Sequence, residues 1–351
     1  MLHFRELMME FRKIAVLLLA GLVSPFVHAA ALKDCLGIQD DQVRLACYDK
    51  LAREALPEKT VIITDKSPSA APALPVVVKN DPPPSPVSAL SERWELDPQS
   101  KAGVFQFRAH NGNYFLPVYG TSSVNQSPST PTQGTATIPN MQAGEIKFQL
   151  SFKTKLAENM FGGDSDLWFG YTQQSHWQFY NSDASRPFRE TNYEPELIWT
   201  IPTAYNVLGW DGRLVNLGLL HQSNGRADPL SRSWNRVYAQ AGFERGDWAL
   251  LVRPWYRLPE SNNSDNNPDI NKYMGYGDLT AIWKHEGHVV TLLGRLNAGT
   301  GKGGFQADWA FPLARLLKGH IQLFSGYGES MIDYNHNQTT LGIGVSLGEG
   351  L

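Results

Sequence analysis

The segment His221-Gln-Ser-Asn-Gly-Arg-Ala-Asp-Pro-Leu-Ser-Arg-Ser-Trp-Asn235 brings an imidazole, a hydroxyl and an amide together between two stretches of alternating apolar and polar residues. Side chains on a β-strand point alternately to opposite faces. Val215, Leu217 and Leu219 therefore share a face with His221 and Ser223, while Asn216, Gly218 and Gln222 take the other. After the segment, Asn235 shares a face with Val237, Ala239, Ala241 and Phe243, opposite Arg236, Tyr238, Gln240 and Glu244. A hairpin closed by residues 224–234 sets His221 across from Asn235 and Ser223 across from Ser233. Directly opposed Cβ atoms lie about 5 Å apart, so an amide can hold an imidazole. Residues i and i+2 are roughly 7 Å apart, a gap an imidazole can lean across. The chemistry this permits is that of a serine nucleophile (Ser223), a general base and then acid (His221), and an orienting amide (Asn235). A histidine near a serine is common by chance and usually decorates a surface. Here three polar groups share a face otherwise given to Val, Leu, Ala and Phe, and on a lipid-facing wall polar groups are disfavoured unless they serve a purpose.

The connecting loop adds two further elements. Gly225 can adopt positive φ and turn its N–H toward a developing oxyanion. Asp228 is the only carboxylate between His221 and Asn235. Calcium takes about six to eight oxygen ligands, so one acid, hydroxyls such as Ser231 and backbone carbonyls make a partial site that a second chain or the lipid must complete. The other reading of Asp228 is that it caps a turn.

These residues need elements to position them. Residues 1–30 carry Arg5, Arg12 and Lys13, then an apolar run from Ile14 to Val23, then Ala29, Ala30 and Ala31, the pattern of a secretory signal peptide. No other run approaches the roughly 18 apolar residues of a membrane helix, which leaves β-strands as the way to cross a bilayer. Cys35 and Cys47 are the two cysteines, and an oxidising compartment favours a disulfide between them, making 31–57 a small closed element. Residues 58–95 read as a linker, with prolines clustered at Pro82, Pro83, Pro84 and Pro86. From 96 to 351 the texture is Gly, Tyr, Trp and Asn with alternation. The last strand shows it best: Leu341, Ile343, Val345 and Leu347 alternate with Gly342, Gly344 and Ser346. At roughly 20 residues per strand and connection, this region makes about 12 strands, enough to close an antiparallel barrel with no edge. The expected fold is an all-β transmembrane antiparallel barrel with a short N-terminal extension. A net charge of -3 gives no reason to expect nucleic acid.

Tyr171-Thr-Gln-Gln-Ser175, Arg189-Glu-Thr-Asn-Tyr-Glu-Pro195, His221 to Arg236, Lys272-Tyr-Met-Gly-Tyr276 and Ser325-Gly-Tyr-Gly-Glu-Ser330 together resemble the signature of the bacterial outer-membrane phospholipase A family. The resemblance implies a 12-stranded outer-membrane barrel that hydrolyses acyl esters of phospholipids and lysophospholipids, switched on by calcium-driven homodimerisation. It implies Ser223, His221 and Asn235 as the triad and the Gly225 amide as an oxyanion donor. For calcium it implies the Arg226 carbonyl, the Ser231 hydroxyl, Asp228 nearby, and Ser185 reaching across from a partner. Gln173 shares its face with Leu167, Phe169 and Tyr171. An amide in lipid seeks a partner, either a neighbouring side chain or, as the resemblance implies, the other subunit. A passive porin-like barrel is the rival reading, and it requires an open polar lumen.

Overall fold

The computed structural model describes residues 88–347, apart from 162, 262–263 and 315, together with Val43 and Cys47. The chain divides into two units, Met1–Asn80 and Asp81–Leu351. In the first, Val43 and Cys47 are helical and Cys47 is disulfide-bonded. The signal peptide, Cys35 and residues 58–87 of the expected linker lie outside the described residues.

The described part of the second unit starts with helix α1 (Ala89–Trp94), followed by a 3-10 turn (Pro98–Ser100), and is built mainly from strands. These are β1 (Phe107–Ala109), β2 (Asn113–Thr121), β3 (Ser129–Thr130), β4 (Gly134–Thr135), β5 (Gly144–Met160), β6 (Ser165–Trp177), β7 (Phe188–Val207) and β8 (Trp210–Ser223). They continue through β9 (Ser233–Arg245), β10 (Trp248–Arg257), β11 (Gly277–His285), β12 (His288–Asn297), β13 (Lys302–Pro312), β14 (Leu317–Tyr327) and β15 (Asn337–Leu347). A one-turn helix, α2 (Asn271–Met274), sits in the β10–β11 connection. Sequential antiparallel pairing runs from β5 to β15, β15 pairs with β2, and β2 returns to β5, closing a ring of 12 strands. The short β1 pairs with β5 beside it, and β3 and β4 form a separate hairpin. Closure leaves no unpaired sheet edge within the hydrocarbon.

Alternation governs the two faces as the sequence suggests. Leu219 is 49% exposed on the outside while Leu220 beside it is 3% exposed within. Leu217, Val237, Leu341 and Ile343 also face outward. The interior is crowded with paired charge: Lys147 Nζ lies 2.6 Å from Glu329 Oε1, and Arg189 reaches both Glu145 at 2.9 Å and Asp333 at 2.8 Å. Charges removed from water persist only when paired in this way. An interior cavity of about 270 Å³ is lined by such side chains. A crowded interior is what the inward parity of His176, Gln178, Arg236, Tyr238, Gln240 and Glu244 suggests, and all of these are buried except Gln240, which is half-buried. The open lumen a porin needs is occupied.

One boundary differs from the sequence reading. Within the stretch expected to be linker through residue 95, Ala89–Trp94 form α1, capped by the Ser88 side chain, which accepts from the Ser91 N–H. Leu90 and Trp94, one turn apart, are buried inside the barrel, and the Leu90 N–H donates to Glu244 Oε1 at 2.7 Å. Lys153 Nζ lies 3.2 Å from the centre of the Trp94 ring. The single-turn spacing of two large apolar residues is too brief a pattern to stand out beside so many prolines.

Candidate active site on the outer wall

The connections β5–β6, β7–β8, β9–β10, β11–β12 and β13–β14 are tight turns, while residues 178–187, 224–232, 258–276 and 328–336 form longer loops at the opposite end. Bacterial barrels place short turns at the periplasmic rim and long loops outside. Ser223 ends β8 and Ser233 opens β9, so the residues nominated by sequence lie at the long-loop rim.

The register is the one a symmetric hairpin predicts: His221 pairs with Asn235 and Ser223 with Ser233. His221 is exposed on the outer face and Ser223 and Asn235 are half-buried, whereas Gln222, Trp234 and Arg236 are buried within. His221 Nδ1 lies 2.8 Å from Asn235 Oδ1. A carbonyl oxygen can only accept, so Nδ1 carries the proton and Nε2 is left with a lone pair. Ser223 shares the outer face two residues along. Among the described residues no hydrogen bond joins its hydroxyl to the imidazole, a contact that often tightens only once substrate is bound. Beneath the pair, Trp234 Nε1 donates to Gln222 Oε1 at 2.7 Å and the Arg236 guanidinium lies 3.9 Å from the Trp234 ring centre. Both strands therefore rest on a rigid inner layer.

Residues 224–232 are held by a backbone bond from the Asn224 N–H to the Arg232 carbonyl at 3.0 Å and by two buried side chains. Asn224 Oδ1 accepts from the Arg232 N–H at 2.9 Å, and Asn224 Nδ2 donates to the Leu230 carbonyl at 2.9 Å. Arg232, fully buried, donates from Nη1 to the carbonyls of Pro229 (3.0 Å) and Ser231 (2.8 Å). Gly225 has φ +62, the left-handed conformation that favours glycine, and a Cβ there would meet Tyr193 Cε2 at 3.1 Å.

Of the four expected calcium ligands, two join one cluster. Gln133 Nε2 donates to Asp228 Oδ1 at 2.8 Å and to Asn266 Oδ1 at 2.6 Å, and Asn266 Nδ2 donates to Ser231 Oγ at 2.7 Å. Arg226 belongs to the same loop, with its side chain drawn away to the Arg189 carbonyl at 2.6 Å. Ser185 lies in the β6–β7 connection at φ 62, outside the cluster. Among the described residues no three His, Cys, Asp or Glu side chains gather as a metal site. The donors here are a carboxylate, a hydroxyl, carbonyls and amide oxygens, which suit a hard cation such as calcium and nothing softer. Gln133, Asn266 and Arg232 were not found by sequence reasoning. Gln133 sits in the β3–β4 hairpin, which only closure of the ring brings to this loop, and Asn266 sits in the irregular connection after β10, the neighbour of β9.

A closed, lipid-facing barrel of this kind, with this group of side chains on its outer wall, defines the class of integral outer-membrane proteins. A family model described as phospholipase A1 matches residues 90–347. The chain is 37% identical over 374 aligned positions to a putative phospholipase A1 of Neisseria meningitidis, spanning 96% of each. It is 46% identical over 210 positions to a phospholipase A1 of Escherichia coli, covering 60% of this chain and 72% of that one. A solved calcium-bound dimer of the Salmonella typhi outer membrane phospholipase superposes with TM-score 0.65 at 39% identity, covering 73% of this chain and 96% of that one. The chain thus belongs to the phospholipase A1 family and is an outer-membrane phospholipase.

Proposed function

We propose that the chain hydrolyses acyl esters of phospholipids and lysophospholipids at either glycerol position, with Ser223 as nucleophile, His221 as general base and acid, and Asn235 as orienting amide. The observation that carries this reading is the 2.8 Å hydrogen bond between His221 and Asn235 on the lipid-facing wall, which leaves Nε2 free to take a proton. Ser223 Oγ attacks the ester carbonyl and passes its proton to Nε2. The imidazolium then returns that proton to the departing glycerol oxygen, and water repeats the cycle on the acyl-enzyme. The Gly225 N–H is the donor for the oxyanion.

Calcium held by the Arg226 carbonyl, Asp228 and Ser231, with Ser185 of a second copy, would supply positive charge beside that oxyanion. A homodimer through the outer wall follows from the same reading, with Gln173 at the contact. Its amide sits on an apolar face and is bonded only loosely, to Tyr171 at 3.2 Å and Ser175 at 3.4 Å. The Salmonella relative crystallised as a calcium-bound dimer, which supports both expectations. The test is hydrolysis of defined phospholipids by refolded protein and by Ser223→Ala, each with calcium and with chelator. Loss of activity in the variant and in chelator is expected. Unchanged hydrolysis by Ser223→Ala would refute the nucleophile.

A further inference from the structure

Asn235 spends its oxygen on His221, and its other end is occupied as well: Nδ2 donates to Glu260 Oε1 at 3.3 Å. Glu260 lies just past β10, whose Tyr256 and Arg257 pair with Val237 and Arg236. The Leu258 N–H extends that ladder to the Asn235 carbonyl at 2.8 Å. Pro259 lacks an N–H and ends it. Glu260 keeps the outward parity of Val252 and Tyr256, both exposed on the lipid-facing wall. A half-buried carboxylate in that position is unfavourable without a partner. The charged groups facing it are Arg257 from the end of β10, Asp265 from the same loop and His221 from β8. Arg257 is already committed to Asp265 at 2.7 Å. Burial pushes the Glu260 carboxyl up and Asp265 adds to this, while Arg257, the Asn235 hydrogen bond and His221 pull it back.

An amide is a weaker orienter than a carboxylate for two reasons: it can turn over and present NH₂ to the ring, and it brings no charge to the imidazolium. A carboxylate bonded to the amide nitrogen remedies both. Turning the amide over would set oxygen against oxygen, and the negative charge lies one amide away from the ring. We propose that Glu260 is a positioning residue that locks Asn235 with its oxygen toward His221 and lends countercharge to the imidazolium formed as Ser223 attacks. The inference rests on the triad reading above.

Its test compares full-length refolded wild type with Glu260→Gln, which keeps an acceptor and removes the charge, and Glu260→Ala, which removes both. Each is made alone and with Asn235→Ala, and is assayed on phospholipid in mixed micelles with saturating calcium. For Glu260→Gln, kcat should fall about 3- to 10-fold with KM unchanged. The acid limb of kcat/KM should move to lower pH, because an imidazolium without its countercharge loses its proton more readily. Glu260→Ala should lose more. In the Asn235→Ala background neither change should cost anything further, because the connection is already cut. An unshifted acid limb with wild-type kcat, or an equal loss in both backgrounds, would overturn the proposal. A Ser223→Ala control separates the failures: if that variant is active the triad reading falls, and if it is inactive while Glu260→Gln matches wild type only the role of Glu260 falls.

Discussion

Replacing Asn235 by alanine removes an oxygen bonded at 2.8 Å to His221 Nδ1 and leaves the strand pairing untouched, because the register is carried by the backbone. In the resting enzyme the net worth of such a hydrogen bond is small. In the transition state the imidazole is positive, and a hydrogen bond to a charged group contributes about 1.5–3 kcal/mol, or roughly 10- to 150-fold in rate. The outer wall meets lipid instead of water, so little screening reduces this, and the loss should appear in kcat more than in KM. The assay is initial-rate hydrolysis in mixed micelles with calcium, alongside Ser223→Ala and His221→Ala, which should lose nearly all activity. A carboxylate in place of the amide gives a sharper variant. Asn235→Asp would put a second carboxylate about 3.3 Å from that of Glu260, and like charges so close keep a proton between them. That variant should recover part of the alanine loss with an altered pH profile. If Asn235→Ala were as dead as Ser223→Ala, the residue would be doing more than orienting. If it were indistinguishable from wild type, the hydrogen bond would have no part in catalysis.

Asp228→Asn should raise the calcium needed for half-maximal hydrolysis by roughly 10-fold or more, since Asp228 is the only carboxylate among the proposed ligands; a calcium titration of activity measures it. Gln173→Leu should weaken calcium-dependent dimerisation in detergent roughly 8-fold, taking about 0.6 kcal/mol per buried amide and two amides per symmetric contact. Sedimentation or crosslinking would read the change, and unaltered association would remove Gln173 from the interface. Leu90→Ala should cost about 2–5 kcal/mol by opening a cavity against the barrel wall. It should lower the temperature of the unfolding shift on gels while leaving kcat of the folded fraction unchanged, because α1 lies at the rim away from Ser223.

Strand alternation made the register of the β8–β9 hairpin legible. The period of two assigns a face to the residues of Val215–Ser223 and Ser233–Phe243, and the hairpin's symmetry fixes the register without knowledge of the rest of the barrel. The strand number followed from length, because closure admits few solutions. Contacts made by irregular segments were not legible: Gln133 against Asp228, Asn266 against Ser231, and α1 against Glu244 all join residues that no local period relates. Glu260 lies between these cases. Its parity continues that of β10, but the signal stops at Pro259, where a reader counting strands ends the element. The departures share one cause, that side chains on irregular segments are aimed by tertiary closure and leave no periodic trace in the chain.

The filled barrel bears on how such a protein can be blocked. On the proposed reading a molecule lodged in the interior would stop nothing, because reactants would arrive sideways, by lateral diffusion within the leaflet, and their products would depart the same way. The surrounding membrane thus serves as both solvent and reservoir for the reaction. An effective inhibitor has to dissolve in hydrocarbon before it can meet His221 and Ser223, so its partition between water and bilayer should govern its potency as strongly as its fit.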